Sequence, residues 1–285
     1  MTTIPMPPPH IGRVALAVAD LDRSVRFYED VIGLSLLRRE HGQATMGTAG
    51  NAFLLLHGQP GARPVQRATG LYHFAILVPS RRDLARTLYH LLQADAPISG
   101  FADHAVSEAI YLTDPDGHGI EIYRDRPRAE WQYSGDMLRM TTDPIDIQGI
   151  LRELAGETSV SGQMAEGTFV GHTHLQEANI AATEQFYTGL IGLDLVMRYG
   201  PRATFMSANG YHHHLGANTW AGENLPPAPT DAARLLWYEI VQPDKAMLAA
   251  IGARLEAAGF ETEREDDALV VTDPSGIRVK LTSTE

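Results

Sequence analysis

Ile110–Tyr123, IYLTDPDGHGIEIY, is the stretch that decides how this chain folds. Two short β-type runs flank Asp114-Pro115-Asp116-Gly117, where proline presets one backbone dihedral and glycine accepts a positive one, so the stretch reads as a hairpin. On the outgoing run Ile120 and Ile122 share one face, and the two-residue period puts Gly119, Glu121 and Tyr123 on the other. A carboxylate therefore points away from the apolar layer. Glutamate on a strand is usually solvent-facing, so what Glu121 does must be decided by the rest of the chain.

Working upstream from the hairpin, Gly70 opens LYHFAILVPS, a strand in which Phe74, Ile76 and Val78 oppose His73, Ala75 and Leu77. Ser80 and Asp83 have capping spacing, and Leu84, Leu88 and Leu91 form the buried stripe of the helix that follows. This unit of strand, helix and strands is preceded by another. In Gly12–Arg39, Val14, Leu16 and Val18 alternate with Arg13, Ala15 and Ala17; Asp20 then caps a helix with Leu21, Val25, Tyr28 and Ile32 on one face and Gly33 at its end. Thr45–His57 adds two weaker strand candidates.

Downstream the pattern repeats. Gly171, Leu175, Phe186, Tyr187, Ile191, Gly192, Leu193, Leu195 and Arg198 each lie 159 residues after an identical residue in Gly12–Arg39. Asp273-Pro274-Ser275-Gly276 follows the first such turn at the same offset, after a strand over Leu235–Val241 and a helix over Lys245–Ala258. The chain is thus a duplicated two-unit half. The expected organisation is an extended arm over 1–10, an N-terminal half over 11–125, a linker with a short helix (Pro144–Leu154) over 126–167, and a C-terminal half over 168–285.

Composition narrows the chemistry. The 285 residues are 44% apolar and 20% charged, with no cysteine and a formal charge of −12. Disulfides, thiolate metal sites and cysteine nucleophiles are excluded, so any metal needs nitrogen and oxygen donors. The negative balance opposes nucleic-acid binding. With no long apolar run and no cationic leader, the expectation is a cytoplasmic protein that does not engage a membrane.

Comparing the four units locates the donors. The first-strand position holds Arg13, His73, His172 and Trp237 in turn, and the position after the DP-x-G turn holds Glu121 in the second unit and Lys280 in the fourth. A lone strand histidine is more often a hydrogen-bonded core residue. The repeat register overturns that here, because two imidazoles and one carboxylate gather in units two and three while the equivalent places carry cations and an indole. His73, Glu121 and His172 make a two-histidine, one-carboxylate set that leaves open positions on Fe(II), or on Mn(II) as the other ion this set suits.

With LYHFAIL, VGHTHLQ, the FYxxxIGLxL helix ends and DPDGHGIEIY in view, nearly the whole chain resembles the vicinal oxygen chelate superfamily of glyoxalase I, bleomycin-resistance proteins and extradiol dioxygenases. It looks most like the catechol 2,3-dioxygenase-like four-unit chains. The resemblance implies an α+β fold of four βαβββ modules forming two cup-shaped sheets with helices outside. It further implies an Fe(II) site of His172, His73 and Glu121, a substrate-contacting Tyr111 ten residues before the glutamate, and an acid–base histidine in Tyr211-His212-His213-His214-Leu215. His214 is the favoured choice and His213 the next; His104 is a further candidate near the site. In the commoner extradiol enzymes the ligands come from units three and four, whereas here they come from two and three. Only pairing unit two with three, and one with four, collects them in one cup.

The function so implied is Fe(II)-dependent meta-cleavage of a catechol-type diol by dioxygen. Two alternatives use the same cup: a glyoxalase-like isomerase or lyase, and a metal-free drug-sequestering protein lined by residues such as Trp220, Tyr199 and Trp237. Open sheet edges and family habit lean towards a homodimer.

Overall fold

The computed structural model describes residues 7–135, 137–157 and 159–284, so most of the N-terminal arm lies outside the described residues. Each unit contributes four strands. Unit one has β1 (His10–Val18), β2 (Ser35–Glu40), β3 (Gln43–Thr48) and β4 (Asn51–Gly58). Unit two has β5 (Gly70–Leu77), β6 (Ile98–Asp103), β7 (Ser107–Thr113) and β8 (Gly119–Asp125). In unit three these are β9 (Phe169–Gln176), β10 (Asp194–Arg198), β11 (Ala203–Ser207) and β12 (Leu215–Asn218). Unit four supplies β13 (Leu235–Gln242), β14 (Thr262–Glu265), β15 (Ala268–Thr272) and β16 (Arg278–Ser283).

The strands form two eight-stranded sheets, ordered β14-β15-β16-β13-β1-β4-β3-β2 and β10-β11-β12-β9-β5-β8-β7-β6. Unit one therefore shares a sheet with unit four, and unit two with unit three: the crossed pairing that the placement of the histidines demands. At each sheet's centre the two first strands run antiparallel, β1 on β13 and β9 on β5.

Aliphatic residues on one face of every first strand pack beneath the helices. Phe74, Ile76, Ile120 and Ile122 join Leu84, Leu88 and Leu91 in one core that also takes in Val14, Leu16, Tyr28 and Tyr187. The opposite face of the second sheet has its own small cluster of Ala75, Leu77, Ala109, Tyr123 and Phe169, with Tyr111 against it, which forms the floor of a cup. The linker helix is shorter than its sequence pattern suggests, Ile147–Arg152, and starts on Asp146, whose carboxylate accepts from the Gly149 amide.

The repeated turns explain much of the repeated sequence. The Asp114 carboxylate accepts from the amides of Asp116 and His118 at 2.9 Å each and from the Tyr28 hydroxyl at 3.0 Å. Asp273 does the same with Ser275, Ile277 and Tyr187 at 2.9, 2.9 and 2.8 Å. Each DP-x-G turn is thereby latched to the helix of the preceding unit, which ties the two units of each half together across the two sheets. Gly117 stands at φ +87, a conformation that a β-carbon would strain. Among the described residues no helix is long and apolar enough to cross a membrane.

Candidate metal centre and active site

Three adjacent strands build the centre. His172 on β9 lies opposite Ala75 on β5, and Ala75 is in turn the neighbour of Glu121 on β8. A methyl group at the middle position leaves room above it for the longer side chains on either side to converge. His73, two residues before Ala75, points into the same cup by strand alternation. The potential ligand atoms of His73, Glu121 and His172 all lie within 4.8 Å of one another, and all three residues are buried.

The geometry fits a divalent ion. His172 Nε2 is 3.1 Å and His73 Nε2 3.0 Å from the same oxygen, Glu121 Oε2. At that distance His73 Nε2 still lacks hydrogen-bond geometry and has no other partner. A buried nitrogen is left unsatisfied only at a cost, and two imidazole nitrogens aimed at one carboxylate oxygen are the donors a hard-to-borderline divalent ion takes. Burial lowers the His172 pKa to about 4, against the pull of Glu121, so the ring is neutral, the form able to ligate a metal. Burial alone would raise the Glu121 carboxyl, but the His172 and His73 rings hold it well below the ordinary range.

Tyr111 and Glu121 are direct cross-strand partners on β7 and β8, so the Asp114–Gly117 turn sets their register. Burial, followed by the Glu121 charge, raises the Tyr111 phenol well above its ordinary pKa and keeps it protonated. Its oxygen lies 2.6 Å from His104 Nε2, while His104 Nδ1 lies 2.6 Å from the Thr141 carbonyl oxygen. A carbonyl only accepts, so His104 is protonated on Nδ1 and Tyr111 donates to Nε2. Thr141 belongs to the linker; that segment also sends Met140 and Thr142 to the same cavity.

The cavity above the centre measures about 470 Å³. His73, Glu121, Tyr111, His104 and His213 reach it, and Tyr72, His174, Phe205, Tyr199 and Trp220 supply aromatic walls. Of the three consecutive histidines, His213 lines this space, with its ring 4.1 Å from that of His172. The structure does not bring His214, the residue the sequence favours, into that lining. Its amide donates to the Met206 carbonyl, its carbonyl takes the Thr173 amide, and its side chain lies outside the cavity lining. There Nδ1 accepts from the Ala208 amide at 3.2 Å and lies 3.0 Å from the Ser207 hydroxyl. All three histidines precede β12 rather than lying within it.

His174 escapes the sequence reading although its signal is plain. It follows His172 by two residues, so it shares that face, and it is the cross-strand partner of His73. Its ring contacts Tyr72, Trp220 and Phe205 at 5.1, 5.4 and 5.6 Å. Trp237 lies in the other sheet, beneath the Lys280 ammonium at 4.2 Å and near the Arg13 guanidinium at 5.8 Å.

A family model described as the glyoxalase/bleomycin resistance protein/dioxygenase superfamily matches residues 10–122 and 169–281. The chain belongs to this superfamily. Within the superfamily, it is 43% identical over 271 residues to a catechol-2,3-dioxygenase of Bacillus subtilis, spanning 93% of this chain and 94% of that one. That likeness places the protein among the dioxygenase enzymes of the superfamily. A solved Bacillus subtilis structure provisionally described as a dioxygenase aligns with a TM-score of 0.69 at 14% identity, over 97% of this chain and 86% of that one. Glyoxalase I of Zea mays aligns at 0.58 and 16%, over 96% and 92%. At those identities the two structures speak for the superfamily fold alone.

Proposed function

We propose that the protein is an Fe(II)-dependent extradiol dioxygenase that opens a catechol-type ring beside its two hydroxyls, with both atoms of dioxygen entering the product. The observation that carries this reading is the convergence of His73, Glu121 and His172 at the base of a cavity shared by a neutral imidazole and a protonated phenol. His73, Glu121 and His172 would hold the iron, which supplies a path for electrons between the ring and dioxygen. Three protein ligands leave positions free for both.

The chain's own residues account for the proton chemistry. Burial, then the neighbouring His172, lowers the His213 pKa well below its ordinary value, so this ring is neutral and able to accept a catechol proton and return it as the ring opens. Tyr111, held by His104, offers its phenol oxygen to a ring hydroxyl. The aromatic walls give the cavity a largely apolar surface against which a ring can pack.

The test is iron content after anaerobic purification, followed by oxygen uptake with catechol. About one iron per chain with catechol-dependent uptake is expected. A protein that takes up no transition metal under these conditions, or that holds iron and consumes no oxygen with catechol, rejects the reading.

A further inference from the structure

Behind the cavity, a chain of polar groups leads from His213 towards the surface. Asp125 ends β8, four residues after Glu121, and its side chain is 26% exposed. Its Oδ1 lies 2.9 Å from Nε2 of His212, a fully buried ring, and accepts from the Tyr211 hydroxyl at 3.2 Å. The Tyr123 hydroxyl is 2.8 Å from that of Tyr211, and His212 lies on the Tyr211 ring at 4.0 Å with Trp131 5.6 Å away. His212 Nδ1 is 2.9 Å from His213 Nδ1.

These contacts fix where the protons sit. A carboxylate only accepts, so His212 carries a proton on Nε2, and in the neutral ring its other nitrogen holds a lone pair. Two nitrogens 2.9 Å apart share one hydrogen, so His213 must donate from Nδ1. Its Nε2 is then the unprotonated nitrogen, on a ring that lines the cavity. We propose that Asp125 and His212 are positioning residues that hold His213 in its Nδ1-protonated tautomer, so that Nε2 is the base offered to the substrate. The proposal rests on the reading of His213 as proton acceptor. It gives the acid–base group an Asp–His–His support in which only the last ring touches substrate.

Two measurements test it. In a double-mutant cycle on catechol-dependent oxygen uptake, Asp125→Asn is expected to lower kcat at least about 10-fold through loss of the correct tautomer, with KM and iron content unchanged. In a His213→Phe background the same substitution should change kcat less than about 2-fold, because a group acting through His213 has nothing left to position. Losses that multiply independently would overturn the proposal. The second measurement needs no turnover: nitrogen NMR of ¹⁵N-histidine-labelled, Zn(II)-loaded protein reads the two tautomers directly. His213 protonated on Nδ1 and His212 on Nε2 are expected in the wild type, with the His213 assignment lost in Asp125→Asn. His213 protonated on Nε2 in the wild type would overturn the relay. A wild type that consumes no oxygen with catechol would reject the proposed function, and the NMR result would still decide the relay.

Discussion

Replacing Asp114 with alanine should test how far the turn controls the metal. The carboxylate is buried, at 4% exposure, and accepts the Asp116 and His118 amides and the Tyr28 hydroxyl. Hydrogen bonds to an ionised group contribute about 1.5–3 kcal/mol each, and the losses are not additive when water can reach some of the freed donors. A net destabilisation of about 3–5 kcal/mol follows, near the top of the range for single substitutions. In a chain of this size that corresponds to a fall in melting temperature of roughly 5–8 °C. The consequence for the site is more specific. Tyr111 and Glu121 face each other across this hairpin, so loosening the turn should also lower bound metal per folded chain. Asp273→Ala removes the equivalent latch from a hairpin that carries Lys280 in place of Glu121, and should leave metal content unchanged. Thermal unfolding and metal analysis of both variants check this. A loss below about 1 kcal/mol for Asp114→Ala, or equal metal loss in both, would refute the reasoning.

Glu121→Gln removes the one carboxylate of the candidate His73–Glu121–His172 set, and affinity for a divalent metal should fall by more than about 100-fold, the upper end of what changing a mere supporting group costs, as read by metal titration. A β-carbon at Gly216 would sit 2.8 Å from Cγ of His174, so Gly216→Ala should cost about 1–3 kcal/mol through overpacking and raise KM for catechol as the aromatic wall shifts. Glu177 offers a pH signature: burial, then the Asp273 charge, raises its pKa well above the ordinary range. A carboxyl raised in the folded state contributes stability that is complete below its unfolded pKa and lost as pH climbs through the folded one. Glu177→Gln should therefore match the wild type in melting temperature near pH 4 and exceed it at pH 8; parallel curves would argue against a protonated Glu177.

What was readable in the sequence was whatever obeyed a period. Strand alternation separated Glu121 from Ile120 and Ile122, and the 159-residue repeat separated His73 and His172 from Trp237 and Arg13. His174 obeyed the same alternation and simply went uncounted. The choice between His213 and His214 was not readable, because both precede β12 and parity cannot be carried through the irregular residues that lead into it. Thr141 and Met140 reach the cavity from a linker with no periodicity at all. Asp125, a charged residue at a strand end, looks like any solvated terminus until His212 is found against it.

Among the described residues one cluster suits a metal, and the other cup shows why it has no twin. Glu239 neighbours Lys280 just as Ala75 neighbours Glu121, so a carboxylate fills the place where the metal-holding cup needs an empty one. That carboxylate accepts from the Arg13 backbone amide at 3.0 Å and from its guanidinium at 2.9 and 3.0 Å, and takes the Thr282 hydroxyl at 3.0 Å. Lys280 is paired with Glu265 at 2.7 Å while its ammonium lies over Trp237. Every cation in this arrangement already faces a carboxylate, and two fixed positive charges repel a third. Converting Arg13, Trp237 and Lys280 to His, His and Glu would still leave Glu239 in the central position, deprived of its guanidinium. The methyl of Ala75 is thus as much a part of the metal-holding design as the three donors around it.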